Sequence, residues 1–109
     1  MKNLTDKITI ELIGIIKTYL QSNSNVKKAW LFGSRSSNKN RENSDIDIAI
    51  EFNDSDFQIV LDQQINCRNE INRRISSYNI KLDLQTFSIH DPHIQEYIRN
   101  RSIVIFDRS

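Results

Sequence analysis

The sequence predicts a single α/β (α+β) domain in which helices pack on one face of a small mixed β-sheet. Three observations favour this class. Apolar residues recur at steps of three and four in some segments, as in helices, and at steps of two in others, as in strands. The two kinds of segment alternate along 109 residues, a length that matches one domain. No linker interrupts the chain, which has only two Gly and one Pro, so we predict a single domain over residues 1–109.

Seven elements follow from these patterns. The first helix is predicted over residues 5–21 with Thr5 as its N-cap, and a longer helix over residues 55–76. A third helix is expected to start with Asp91 as cap and Pro92 as first helical residue, and to run to about residue 100. On the long helix, the buried face is predicted to carry residues 57, 61, 65, 68, 71 and 75. Strands are predicted over residues 26–32, 45–52, 80–87 and 103–106.

The strand over residues 45–52 carries two carboxylates, although Asp is depleted in strands. Because side chains alternate along a strand, Asp45 and Asp47 share one face, opposite an apolar row. The polar face of the following strand carries Asp83, so the three carboxylates converge if the two strands are neighbours. Two carboxylates about 4 Å apart repel by roughly 4 kcal/mol at an effective dielectric constant of about 20. Such a cluster protonates, spreads apart or holds a cation, and oxygen ligands alone favour Mg²⁺ or Mn²⁺.

The turn upstream of this strand favours phosphate binding. Gly33 permits a positive φ and the close approach of a ligand to the backbone. Ser34 is predicted to cap a short helix whose free N–H groups attract phosphate. Two readings of Arg35 stay open, which are neutralisation of a triphosphate and simple exposure to solvent. A phosphate cradle beside a divalent-metal site is typical of metal-assisted nucleotidyl transfer.

These residues resemble the signature of the DNA polymerase β-like nucleotidyltransferases, which is a glycine-serine pair, a ten-residue spacer and Asp-x-Asp. Here Gly33 and Ser34 are followed, after ten residues, by Asp-Ile-Asp at residues 45–47. The small size and the run Leu-Phe-Gly-Ser-Arg at residues 31–35 look most like the minimal nucleotidyltransferase branch. The chain departs from the family at Asn38, where a glycine is common, and it lacks the second Arg of the family's turn. Asn tolerates the left-handed conformation, so Asn38 can replace that glycine.

The resemblance implies a polymerase β-like nucleotidyltransferase fold, in a single minimal nucleotidyltransferase domain, and a role for each candidate residue. Three carboxylates would be catalytic and bind Mg²⁺ (or Mn²⁺), and three residues of the turn would bind the triphosphate of ATP, the substrate. The carboxylates are Asp45, Asp47 and Asp83, and the turn residues are Gly33, Ser34 and Arg35.

The resemblance further implies that the protein is an antitoxin of a toxin–antitoxin pair. It would transfer AMP from ATP to a hydroxyl group, such as a tyrosine of a helical HEPN ribonuclease toxin, within a hetero-oligomer. Two alternatives stay open. One is a non-catalytic module that neutralises the toxin by binding, and the other is a catalytic subunit for a small-molecule acceptor such as an antibiotic.

Composition limits the other partners. The formal net charge of +1 favours neither direct nucleic-acid binding nor attraction to a membrane surface. No apolar run approaches the roughly 20 residues that span a bilayer, and no secretory signal pattern is visible. A single Cys excludes an intrachain disulfide, so the cytoplasm is the expected location.

Overall fold

The computed structural model describes residues 4–87 and 92–108. Each predicted helix and strand is present, with ends displaced by no more than two residues. Two short 3₁₀ helices, Ser34–Ser37 and Ser76–Tyr78, are added in the connections. The main elements of the described segments are α1 (Lys7–Ser22), β1 (Val26–Phe32), β2 (Ile46–Phe52), α2 (Phe57–Ile75), β3 (Leu82–Thr86), α3 (Pro92–Arg101) and β4 (Ile103–Asp107).

The strands form one mixed sheet in the order β3-β2-β1-β4. β1 is antiparallel to both β2 and β4, whereas β2 and β3 are parallel and are joined through α2. The predicted α+β class with a small mixed sheet is therefore confirmed.

One face of the sheet builds the main core against α1 and α2. Alternation along β2 directs Ile46, Ile48 and Ile50 to this face, and all three are fully buried. The helices contribute residues at steps of three and four, as their periodicity predicts. These residues are Leu12, Ile16 and Leu20 of α1 and Cys67, Ile71 and Ile75 of α2.

Two predictions about helix ends have different outcomes. Thr5 is not the N-cap of α1, because the carboxylate of Asp6 takes that position and accepts hydrogen bonds from Thr9 N and Oγ1 at 2.8 and 2.7 Å. Pro92 is the first residue of α3, as predicted. The predicted cap, Asp91, lies outside the described residues.

The predicted buried face of α2 is correct for its C-terminal half and wrong for its N-terminal half. Ile71 and Ile75 are buried, but Phe57 is 80% exposed and Ile65 is 42% exposed. Ile65 precedes Ile71 by six positions, which turns it by about 120° around the helix axis, away from the core. Within the described residues, no helix is both long and apolar enough to cross a membrane.

Candidate active site

The pairing of β2 with β3 brings Asp47 and Asp83 together. In the parallel register Asp47 lies directly beside Asp83, and the Ile46 amide donates a hydrogen bond to Lys81 O at 2.9 Å at the start of the pairing. Both carboxyl groups are half-buried, and Asp83 raises the pKa of Asp47. The Gln85 amide donates to Asp83 Oδ1 at 3.0 Å and so orients it. The predicted meeting of these two carboxylates, called the acidic pair below, is confirmed.

The acidic pair is strained electrostatically. The pKa of Asp47 rises from 3.8 to about 6, mainly because burial penalises the carboxylate. The hydrogen bond with Asp83 and the negative charges of Asp83 and Asp45 raise this pKa further, while the positive charge of Arg35 lowers it. Asp47 therefore retains its proton in mildly acidic solution and ionises near pH 6. A bound cation would relieve the same repulsion.

Asp45 is the outermost of the three predicted carboxylates. It is exposed immediately before β2, and its charge contributes to the raised pKa of Asp47. In residues 4–87 and 92–108, no three His, Cys, Asp or Glu side chains are already gathered as a metal-binding cluster. The structure thus brings two of the three carboxylates into contact and leaves Asp45 at the rim. The oxygen-only donors fit a hard cation such as Mg²⁺ or Mn²⁺.

Gly33 is packed directly against the acidic pair. Its φ is +75°, a conformation that L side chains rarely adopt. A Cβ at this position would overlap Asp47 Oδ2 and lie 3.0 Å from Asp47 Cγ. Both the backbone conformation and the neighbouring carboxylate therefore require glycine here, because the Asp47 carboxylate fills the space that a side chain would take.

The turn after Gly33 differs in one detail from its prediction. Gly33, rather than Ser34, occupies the cap position, and Ser34 is the first residue of the 3₁₀ helix Ser34–Ser37. The Ser36 hydroxyl is hydrogen-bonded to Gly33 O at 2.6 Å. Asn38 ends this helix in the left-handed conformation, with φ of 59°, which confirms its predicted replacement of a glycine.

Both readings of Arg35 are wrong. The residue is fully buried, so it is neither solvent-exposed nor able to reach a triphosphate. Its guanidinium makes five hydrogen bonds, as many as it has N–H groups, and none is left for a phosphate. The acceptors are Asp6 Oδ2, Thr9 Oγ1 and Glu42 O, with Ser44 O accepting twice. The partners in α1 are distant in sequence, and no local pattern could have identified them.

A small aromatic cluster lies on the same sheet face as the acidic pair. Trp30 is buried against Ala49 and Phe87, outside the main core. The Trp30 and Phe87 rings are 4.9 Å apart between centroids. Phe32, which packs against this cluster, is paired with Asp47 across β1 and β2. The acidic pair therefore borders an apolar surface. Alternation at residues 83, 85 and 87 places Phe87 on the face that carries Asp83, and this pattern is the sequence signal that could have predicted the surface.

Comparison with known proteins agrees with this geometry. A family described as polymerase beta, nucleotidyltransferase matches residues 15–109. A search of curated proteins found no match.

Several solved structures share the fold. The chain resembles a protein from a toxin–antitoxin complex with AMP-PNP, with a TM-score of 0.66, 22% identity and coverage of 89% of this chain and 74% of that one. It also resembles a chain of the toxin–antitoxin MntA-HepT, with a TM-score of 0.62, 18% identity and coverage of 90% and 72%. A third is in the complex of tri-AMPylated Shewanella oneidensis HEPN toxin with MNT antitoxin, with a TM-score of 0.61, 17% identity and coverage of 91% and 72%.

Proposed function

Because this chain belongs to the polymerase beta nucleotidyltransferase family, we propose that it transfers AMP from ATP to a hydroxyl group of a partner protein in the cytoplasm. The observation that carries the proposal is the acidic pair, Asp47 and Asp83, in contact with Gly33. Carboxylates that repel one another beside a glycine turn suit a cation-bound polyphosphate, and they would not stabilise a purely structural sheet face.

Each residue of the site has a proposed task. Asp47 and Asp83, with Asp45 at the rim, would hold Mg²⁺ or Mn²⁺, which when bound supplies positive charge to the phosphate oxygens. Gly33 and Ser34 would seat the β- and γ-phosphates through the backbone N–H groups of the turn. The acceptor oxygen forms a bond to the α-phosphorus as the bond to the β-phosphate oxygen breaks and pyrophosphate leaves. Asp83 takes the acceptor's hydroxyl proton.

We propose a tyrosine of a HEPN toxin as the acceptor, with this chain as its antitoxin. Support comes from the proteins that share the fold, one described with AMP-PNP and another with an AMPylated HEPN toxin.

A second candidate is neutralisation of the toxin by binding alone. The observation that favours it is the burial of Arg35, which leaves this arginine unable to bind phosphate, while the family's second Arg is replaced at the turn. The two candidates differ in whether AMP becomes covalently attached to the partner.

The test is transfer of radiolabelled AMP. The protein is incubated with α-labelled ATP, Mg²⁺ and the product of the neighbouring gene, tested as the proposed HEPN-type partner, which is then separated by denaturing electrophoresis. We expect label on the partner, lost in Asp47→Asn and in Asp83→Asn. The control Asp62→Asn, which changes an exposed carboxylate on α2, keeps it. Neutralisation of the toxin without label would refute transfer and support the binding module.

A further inference from the structure

We propose that Arg35 is a positioning residue that fixes the carboxylate-bearing start of β2 against the Gly33 turn. Only one measurement in its test, the kinetics of AMP transfer, rests on the proposed function. Its structural basis is the set of hydrogen bonds made by the guanidinium, called the Arg35 network below.

The Arg35 network joins two segments that are separate in the chain to the turn that carries Arg35. Nη1 donates to Asp6 Oδ2 at 3.2 Å and to Thr9 Oγ1 at 2.8 Å, both at the start of α1. On the other side, Nη2 donates to Glu42 O at 3.1 Å, in the connection that leads to β2. A fully buried arginine with this many partners holds both segments at fixed distances from the turn.

The contact with Ser44 is the one that matters for the site. Ser44 O accepts hydrogen bonds from Nε at 3.0 Å and from Nη2 at 2.8 Å. This carbonyl belongs to the peptide bond that leads into Asp45, so Arg35 holds the backbone immediately before the predicted metal ligands. Residues 41–43 before it are exposed, and the connection has no regular secondary structure that could hold it in place.

The site tolerates little displacement, so its geometry depends on the hydrogen bonds from Arg35 to Ser44 O. Gly33 packs so closely on Asp47 that a Cβ would overlap the carboxylate. Arg35 is two residues after Gly33 and binds the carbonyl three residues before Asp47, so its network bridges the two sides of that contact. Displacements of about 1 Å at such a site are enough to reduce catalysis strongly.

A lysine at position 35 cannot reproduce these hydrogen bonds. The planar guanidinium donates in several fixed directions, whereas an ammonium is a point donor on a flexible stem. Arg35→Lys therefore keeps the charge and removes most of the geometry, which makes it the informative substitution.

The chain offers a control in Arg108, a second multidentate arginine, which is exposed whereas Arg35 is fully buried. Its guanidinium donates four hydrogen bonds to backbone carbonyls around the end of α1 and the start of β1. It is a multidentate arginine like Arg35, but its acceptors are Leu20, Gln21, Asn23 and Val26, none of which belongs to the site. A general loss of stability is thereby separated from a loss of positioning.

The experiment compares wild type, Arg35→Lys and Arg108→Lys at a temperature where circular dichroism shows all three folded. Three quantities are measured: hydrogen exchange of peptides covering residues 42–47, the affinity for Mn²⁺ without nucleotide, and kcat and KM for AMP transfer. For Arg35→Lys we expect about tenfold faster exchange and about tenfold lower kcat, with KM for ATP changed by less than about threefold. Its Mn²⁺ affinity should also fall, and Arg108→Lys should match wild type in all three quantities.

Three outcomes would overturn the inference. They are wild-type exchange over residues 42–47 in folded Arg35→Lys, an equal effect of both substitutions on exchange and Mn²⁺ affinity, and an intact kcat in folded Arg35→Lys. A wild-type protein that transfers no AMP refutes the proposed function instead, and hydrogen exchange then decides the role of Arg35.

Discussion

Replacing Asp47 with Asn should make the metal-free protein more stable at neutral pH while removing its proposed activity. The acidic pair is the reason, because the pKa of Asp47 is raised to about 6 by burial and by Asp83. A rise from 3.8 to about 6 corresponds to about 3 kcal/mol of unfavourable free energy when the group is ionised. Since Asp47 is only half-buried, solvent screening reduces the expected gain to about 1–2 kcal/mol.

The direction of the pH dependence follows from the same shift. Between about pH 4 and 6 the folded protein keeps a proton on Asp47 that the unfolded chain has lost. Unfolding then releases a proton, so the Asp47 contribution to the free energy of unfolding falls as the pH rises through this window. Above it, wild type carries the full cost and Asp47→Asn carries none. The lowered pKa values of Asp6 and Glu70 act in the opposite direction in both proteins and cancel in the difference.

The assay is urea unfolding of both proteins at several pH values with a chelator present. We expect the advantage of Asp47→Asn to be near zero at pH 4 and about 1–2 kcal/mol at pH 8, equivalent to about 5–10 °C in Tm. Asp45→Asn, at the exposed rim, is the control and should change stability by less than about 0.5 kcal/mol. A pH-independent difference, or a less stable Asp47→Asn at pH 8, would refute the electrostatic argument.

Two further predictions concern residues with positive φ. Gly33→Ala should lower stability by at least about 1–2 kcal/mol because of its backbone conformation, and further because its Cβ overlaps Asp47. In an Asp47→Ala background the second part disappears, so the cost measured by urea unfolding should be smaller; equal costs in both backgrounds would contradict the contact. Asn79 ends the 3₁₀ helix Ser76–Tyr78 with φ of 54°, so Asn79→Ala should cost about 1 kcal/mol while Asn79→Gly stays near wild type. Equal urea midpoints for these two variants would show that the left-handed backbone carries no cost there.

The face occupied by each member of the acidic pair was predictable from local rules, whereas their meeting was predicted on the condition that the two strands are neighbours. Alternation in a strand fixes which face Asp47 and Asp83 occupy once the apolar residues are buried, and parallel pairing then aligns them. The predicted left-handed Asn38 rested in the same way on an intrinsic property of its side chain.

Arg35 could not be placed from the sequence because its environment is made by tertiary contacts. Its partners Asp6 and Thr9 are 29 and 26 residues away, and their positions depend on how α1 packs. The start of α1 was missed for a related reason. Thr5 and Asp6 are both suitable caps, and the Asp6 carboxylate has the added contact with Arg35.

The parallel register of β2 and β3 has a consequence for when the proposed metal site forms. Parallel neighbours require a long crossover, so Asp47 and Asp83 meet only after the whole of α2 has folded back across the sheet. Nascent or partly unfolded chains hold the two carboxylates far apart and have little affinity for a divalent ion. Binding is thereby coupled to completion of the fold, and millimolar Mg²⁺ should protect the finished protein by mass action while leaving its folding intermediates unaided.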